Sequence, residues 1–403
     1  MKERENMVDV TPNLDLIKPD PIRYWVKQCK DAGAKNMYTI GVPDPLPAEA
    51  LAVFIEAQKK QEEKSATGYP PFVGETRLKE KIVEMEGNFG AELGVGDIEN
   101  MYVSVGASQA LQFIFSLFKK DSQIMVNTPC WGTIHNMIGH SGNKAVSTAF
   151  FEDNRFVEEN AAKNLSDQTQ AIYVNFPANP TGALVPEDEL KKLCEWAVQE
   201  DLEIISDEPY KYIIFDRKKT PYTSPVSFGE EVNRKVNLVS SFSKIVKPDI
   251  RLGFIRVSET IMESHKMIGF YFRNLSAGVS RGIQMGAAAL IESDPKLGFL
   301  KPVVDGYEEK SLLTQRMLSE WGCDFPYKPA GTYMVFPTTP DGSEAQKWVK
   351  DTAANKYCGF IPGTSFGAAE IGFEHLAKHF RMGFGGGTSI QDLKRVLEDL
   401  TST

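Results

Sequence analysis

SSFSKIVKPDIRLGF, residues 240–254, decides the reading of this chain. It continues a short β-rich run, KVNLVS at 235–240, whose apolar residues suit a buried strand. Directly behind that strand stand Ser241, Ser243 and Lys244, with Arg251 seven residues after the lysine. A lysine in that place is a poor candidate for a solvated surface residue. An amine in a crowded cationic site can shed its proton and condense with a carbonyl. Serine hydroxyls and a guanidinium are the groups that hold a phosphate.

Working outward, four more β-rich runs precede this one, at 100–105, 123–127, 171–175 and 202–206. Between the last two lies PEDELKKLCEWAVQ, 186–199, with Leu190, Leu193, Cys194 and Ala197 at the spacing of one helical face. Asp188 and Glu189 fall in its first turn, where the dipole favours anions. Strands alternating with helices predict an α/β fold, a mostly parallel sheet sandwiched by helices. Ligands of such sheets gather at the carboxyl ends of the strands.

Those ends carry a succession of polar residues. Gly106, Ala107 and Ser108 follow the first strand and lead into a helix expected at 110–118. Such a turn exposes backbone N–H groups to a phosphate, although a plain helix cap would look the same. Cys130 and Trp131 follow the second strand, Asn179 the third, and Asp207 with Tyr210 the fourth. Asp207 supplies an acceptor for a protonated ring nitrogen. With Lys244, Arg251 and the serines it describes a pyridoxal phosphate site.

The composition excludes other classes. Among 403 residues, 42% are hydrophobic and the formal net charge is -9, which argues against a nucleic-acid binder. No apolar run has the length of a membrane helix, and MKERENMVDV has no apolar signal core, so a cytoplasmic protein is expected. The five cysteines are scattered, without a C-x-x-C pair, and predict neither disulfide framework nor structural zinc. His375 and His379, four apart on an expected helix in HLAKH, lack the internal glutamate of a zinc motif; they are read as surface or cap residues, and no metal is expected. His135 and His140 are read as packing residues, and the mixed charges at 59–64 as a solvated helix face.

On SSFSKIVKPDIRLGF, FPANPTG (176–182) and SDEPY (206–210), the chain resembles the fold-type I pyridoxal phosphate enzymes of the aminotransferase class I/II superfamily. The resemblance covers nearly the whole length. The seven-residue spacing from Lys244 to Arg251, with PDPIR (19–23) and IGVPDPLP (40–47), is similar to the 2-aminoadipate/kynurenine aminotransferase branch. No helix-turn-helix extension is read in the sequence, so a regulator fusion is not expected.

The resemblance implies a large pyridoxal phosphate domain at 48–290 and a smaller α+β domain at 291–403. The arm 1–47 would contribute to the latter. A break is expected at 294–302, and a final helix at 389–400. Lys244 would hold the cofactor as an aldimine and shuttle the proton, while Asp207 would pair with the pyridine nitrogen. Tyr210 and Asn179 would bond the ring oxygen and Trp131 would stack on the ring. Gly106, Ala107, Ser108, Ser241, Ser243 and Arg251 would hold the phosphate, and Tyr69 would reach the phosphate of a second subunit in a homodimer. Arg381 would clamp the substrate carboxylate, Gly41 would allow close approach, and Arg23 would meet the substrate's distal end. The implied activity is transfer of an amino group between an L-amino acid and a 2-oxo acid. The alternative on the same fold is elimination, cyclisation or oxidation of an amino acid. Lys247 and Asp249 depart from the signature's usual small residues, and Gly385, Gly386 and Gly387 form an unusual run.

Overall fold

The computed structural model describes residues 19–39, 41–64, 68–276, 278–367 and 372–402. Its largest sheet contains β1 (Met101–Ser104), β2 (Gln123–Asn127), β3 (Lys144–Thr148), β4 (Thr169–Asn175), β5 (Glu203–Asp207), β6 (Val236–Ser241) and β7 (Gly253–Arg256). The spatial order is β1-β7-β6-β5-β4-β2-β3. The run from β6 to β3 is parallel, while β7 is antiparallel to both β6 and β1.

Successive residues of each strand face opposite layers, so a sheet covered on both sides needs continuous apolar runs. Ile172, Ile204, Leu238 and Phe254 join one core, and their neighbours Tyr173, Ile205, Val239 and Ile255 join the other. Helix Glu187–Gln199 buries Leu190, Leu193, Cys194 and Ala197 as the spacing predicts, and Trp196 besides.

Three elements differ from expectation. The helix expected at 110–118 spans Gly106–Leu117, so the glycine-led turn is its first turn. Strands β3 and β7 were not anticipated. β7 lies inside the opening motif, where its short apolar run reads as the tail of a loop.

The C-terminal third forms a second body. Met334–Val335, Phe380–Gly383 and Ile361–Pro362 make an antiparallel sheet, accompanied by helices Lys301–Glu320, Ala345–Asn355 and Ile390–Thr401. Helix Pro21–Asp31 packs on Ala345–Asn355, and Asn36–Met37 pairs in parallel with Cys358–Gly359. Helix Ala48–Glu63 instead packs along Arg281–Ser293, where a Cβ on Gly286 would sit 2.9 Å from the Phe54 carbonyl. The break expected at 294–302 is real but short, since helix Lys301–Glu320 begins there.

Candidate active site

A cavity of about 240 Å³ opens at the carboxyl ends of β4, β5 and β6. Ala107, Ser108, Trp131, Asn179, Asp207 and Tyr210 line it, as do Ser241, Ser243, Lys244, Arg251, Gly41 and Arg381. All but Gly41 and Arg381, which come from the N-terminal segment and the C-terminal sheet, are brought together by strands of the large sheet that run in parallel and end on one edge. Gly106 stands just behind: a Cβ there would meet the Arg251 guanidinium at 2.5 Å, and its φ is +71°. Only glycine accommodates both conditions without strain.

One end of the cavity is built for an anion. Helix Gly106–Leu117 begins without a side-chain cap, so its first N–H groups face the cavity beside Ala107 and Ser108. Ser243 N–H donates to Ser241 Oγ at 3.1 Å, and Arg251 Nη1 lies 3.4 Å from Ser243 Oγ. Arg251 takes a left-handed conformation, with φ 49° and ψ 47°. Lys247 and Asp249 pair with each other at 3.2 Å on the exposed side of the loop.

Asp207 closes the floor. It is fully buried at the end of β5, and its Oδ2 accepts the Tyr173 hydroxyl at 2.7 Å. Its Oδ1 has no hydrogen-bond partner. Burial pushes the carboxyl up to about 7; the Tyr173 hydrogen bond and the Lys244 ammonium oppose that, and Glu208 adds to it. Asn175 and Asp207 stand opposite each other on neighbouring strands, and Asn175 Nδ2 donates to the Asp207 carbonyl at 2.7 Å. Sequence reading missed Tyr173 and Asn175. They alternate on β4, so the two-residue period that places Asn175 beside the site also marks Tyr173.

Above the floor, Lys244 Nζ donates to the Gly41 carbonyl at 3.2 Å and sits 5.1 Å from the Tyr210 ring centroid. Tyr333, also missed, donates its hydroxyl to the same carbonyl at 2.9 Å. At the far end Arg381 is buried. Its Nη1 donates to Asn179 Oδ1 at 2.9 Å and its Nη2 to the Thr39 carbonyl at 2.6 Å. Its Nε has no hydrogen-bond partner, and burial pulls its pKa below the usual guanidinium value.

A buried acceptor without a donor and a buried donor without an acceptor are costly. Asp207 Oδ1 suits a cationic ring nitrogen, Arg381 Nε suits a carboxylate, and the helix end suits a phosphate. The residues present therefore fit pyridoxal phosphate with an amino acid.

Two predicted residues stand apart. Tyr69 is 79% exposed and does not line the cavity. Ile22 lines it, whereas Arg23 is turned away by helical rotation, its side chain 91% exposed and 3.9 Å from Asp20. His379 is not a surface or cap residue. It is buried against Phe336, its Nδ1 is 3.2 Å from the Phe336 carbonyl, and burial lowers its pKa to about 4. It follows the single turn Glu374–Lys378 rather than a long helix. His135 Nε2 lies 3.0 Å from Ser147 Oγ, in keeping with packing. Among the described residues no cluster of metal-ligating side chains occurs.

The family model described as aminotransferase class I and II matches residues 39–400. An aspartate aminotransferase of Pyrococcus abyssi is 28% identical over 91% of this chain and 93% of its own. An aromatic-amino-acid aminotransferase 2 of Thermococcus litoralis is 26% identical over 91% and 93%. The fold is similar to that of an aspartate aminotransferase from Thermus thermophilus solved with maleate, with TM-score 0.84, 21% identity and coverage of 98% and 99%.

Proposed function

Because the chain belongs to the class I and II aminotransferases and is a pyridoxal phosphate-dependent transaminase, we propose that its described cavity is the active site, with Lys244 at its centre. Amino and 2-oxo acids are its substrates. The comparisons do not favour the elimination, cyclisation or oxidation alternative. The observation that carries the site assignment is the buried, unpartnered Oδ1 of Asp207.

When bound, the cofactor supplies an electron sink for the bond broken at the substrate's α-carbon. The chain's own residues do the rest. Arg381 grips the α-carboxylate, with Asn179 and Thr39 fixing its plane. That grip orients the α-hydrogen toward Lys244. Lys244 Nζ would hold the cofactor, and it is the amine placed to take up and give back the proton of the substrate's α-carbon. Tyr210 and the Gly41 carbonyl bound the space in which that amine moves. Asp207 Oδ1 would hold a proton at the cofactor's ring nitrogen, and Tyr173 keeps the carboxylate in place. Trp131 lines the same cavity and would cover the ring face. Ser108, Ser241, Ser243, Arg251 and the helix N-terminus hold the phosphate. Ile22 bounds the substrate end, and Arg23 meets a long distal group when helix Pro21–Asp31 closes over the mouth.

A homodimer completes this reading. Phe270, 57% exposed, Met267 and Leu275 line an uncovered apolar face at helix Ile268–Leu275. Gln109, in the first turn of the phosphate-facing helix, donates to the Leu275 carbonyl at 3.3 Å. The Leu275 end of that face is thereby tied to the helix that leads from the phosphate end of the cavity, and a second copy seated on it would bring Tyr69 of each chain toward the other's phosphate. The large domain runs from 48 to about 290, its last helix ending at Ser293, with the arm and the C-terminal residues forming the smaller one; residues 1–18 of the expected arm lie outside the described residues. A cytoplasmic location agrees with five scattered cysteines, all buried.

The test is a half-reaction. Purified holoenzyme mixed with single amino acids should release one equivalent of the matching 2-oxo acid and retain the amino group. Ammonia release instead would contradict transamination.

A further inference from the structure

Directly behind Asp207 lies a cluster of charges that the reaction scheme above does not use. Glu86, Lys211 and Glu208 all have fully buried side chains. Lys211 Nζ is bonded to Glu86 Oε2 and lies 2.9 Å from Glu208 Oε2. The other Glu208 oxygen accepts the hydroxyls of Ser206 at 2.6 Å and Ser224 at 2.7 Å. Tyr212 donates its hydroxyl to Glu86 Oε1 and lies 2.9 Å from Ser240 Oγ, which in turn donates to the Glu208 carbonyl at 3.3 Å. The result is a closed ring of polar contacts.

Taking three ions out of water costs more than their mutual attraction usually repays, so stability alone is a weak reason for them. The ring instead ties together the stretch after β5 that carries Asp207 and Tyr210, the end of β6, and helix Thr76–Gly87. Glu208 is the residue after Asp207, Lys211 the residue after Tyr210, and Ser240 the residue before Ser241. Glu86 sits near the end of helix Thr76–Gly87, which follows the segment containing Tyr69. The ring also holds two carboxylates against one ammonium, next to the one carboxylate that faces the cofactor.

We propose that Glu86, Lys211 and Glu208 are positioning residues that set the net charge behind Asp207 and so the proton affinity of the groups it meets in the cavity. This rests on the cofactor reading above. A carboxylate fixed beside Asp207 in a dry interior favours any proton shared between Asp207 and its partner. Lys211 limits that effect, and Glu86 limits Lys211. The other titratable groups facing this region are Tyr173 from β4 and Lys244 from the turn after β6, with Cys194, Tyr222 and Arg217 around the ring. Arg217 donates to the Lys211 carbonyl and lies over the Phe89 ring at 4.7 Å.

The test compares cofactor-loaded wild type, Glu208→Gln, Glu86→Gln and Lys211→Met. Two quantities are read in each: the pH midpoint of the bound cofactor's absorption change and the cofactor dissociation constant. Removing a negative charge disfavours the protonated state. Glu208→Gln should therefore lower the midpoint by at least about half a unit, roughly threefold in proton affinity. Glu86→Gln should lower it less, and Lys211→Met should raise it. Cofactor affinity should fall in Glu208→Gln and rise or hold in Lys211→Met. A merely structural role would give no such opposition of sign. If a folded Glu208→Gln matches wild type in both quantities, the proposal is overturned. If Glu208→Gln does not fold, Glu86→Gln decides in the same way. A wild-type protein that takes up no cofactor overturns the cofactor reading and this proposal together, so the two failures are distinct.

Discussion

Asp207 and Arg381 face one cavity and are held in different ways. Asp207 ends a strand of a sheet buried on both faces, and its contacts Tyr173 and Asn175 come from the neighbouring strand. Arg381 lies on a strand of the C-terminal body, and it is fixed by Asn179 from the large sheet's loop and by Thr39 from the N-terminal segment. The Asp207 end is thus built within one sheet, while the Arg381 end is assembled across three stretches of chain. On the function proposed above, chemistry would be set by the first end and specificity by the second.

The largest effect that would break this division is at Lys244. Lys244→Ala should reduce turnover by more than about 10³-fold with the melting temperature nearly unchanged, since the residue acts covalently. Near wild-type turnover would place the chemistry elsewhere. Asp207→Asn should slow the amino-acid half-reaction by roughly 10²-fold or more while leaving substrate affinity little altered, as stopped-flow absorbance would read. A change in KM alone would move Asp207 to the substrate end.

Arg381→Lys probes that other end. It keeps a charge but loses the planar fork, so kcat/KM should fall about 10–100-fold, mainly through KM. A pure kcat loss would mean that the two ends are not separate.

The division also predicts a pH effect on the cofactor-free protein. Asp207 is raised to about 7 from its ordinary 3.8, so its proton is held more tightly in the folded state. The stability linked to it is fully present below about pH 3.8 and is lost as pH rises through about 7. His379 acts oppositely: lowered to about 4 from 6.5, it contributes stability above about 6.5 that is lost as pH falls through about 4. Comparing melting curves of wild type and Asp207→Asn isolates Asp207. Wild type should lose a few degrees relative to the variant between pH 4 and 7, and equal slopes would contradict the burial argument.

The smallest effect is at Arg23. Arg23→Ala should raise KM no more than about tenfold, and only for amino acids with an acidic or aromatic distal group, because the side chain is exposed. An equal loss on acidic, aromatic and basic substrates would make the helix a plain lid.

The contrast also explains what could be read from the chain. Parallel strands buried on both faces have continuous apolar runs, and their ligands follow immediately in sequence, so Lys244, Asp207 and Asn179 were legible. Tyr173 was hidden because a tyrosine inside a buried strand has the pattern of core. Glu86 and Lys211 lie 125 residues apart, and nothing local pairs a helix glutamate with a distant lysine. The glycine run after Phe384 acquires a reason only in three dimensions. A Cβ on Gly385 would sit 2.0 Å from the Val42 carbonyl, and Gly387 N–H donates to Asp44 Oδ1 at 2.7 Å. Arg23 was readable as a residue type, but its orientation depends on where helix Pro21–Asp31 docks.

The central claim is that Lys244 carries the cofactor at the carboxyl end of β6. Borohydride reduction of the pyridoxal phosphate-loaded protein, followed by peptide mass mapping, tests it most directly. The account predicts one reduced pyridoxyl adduct per chain, on Lys244 in the peptide containing SSFSK. An adduct on any other lysine, or none in a protein that has taken up the cofactor, would contradict it.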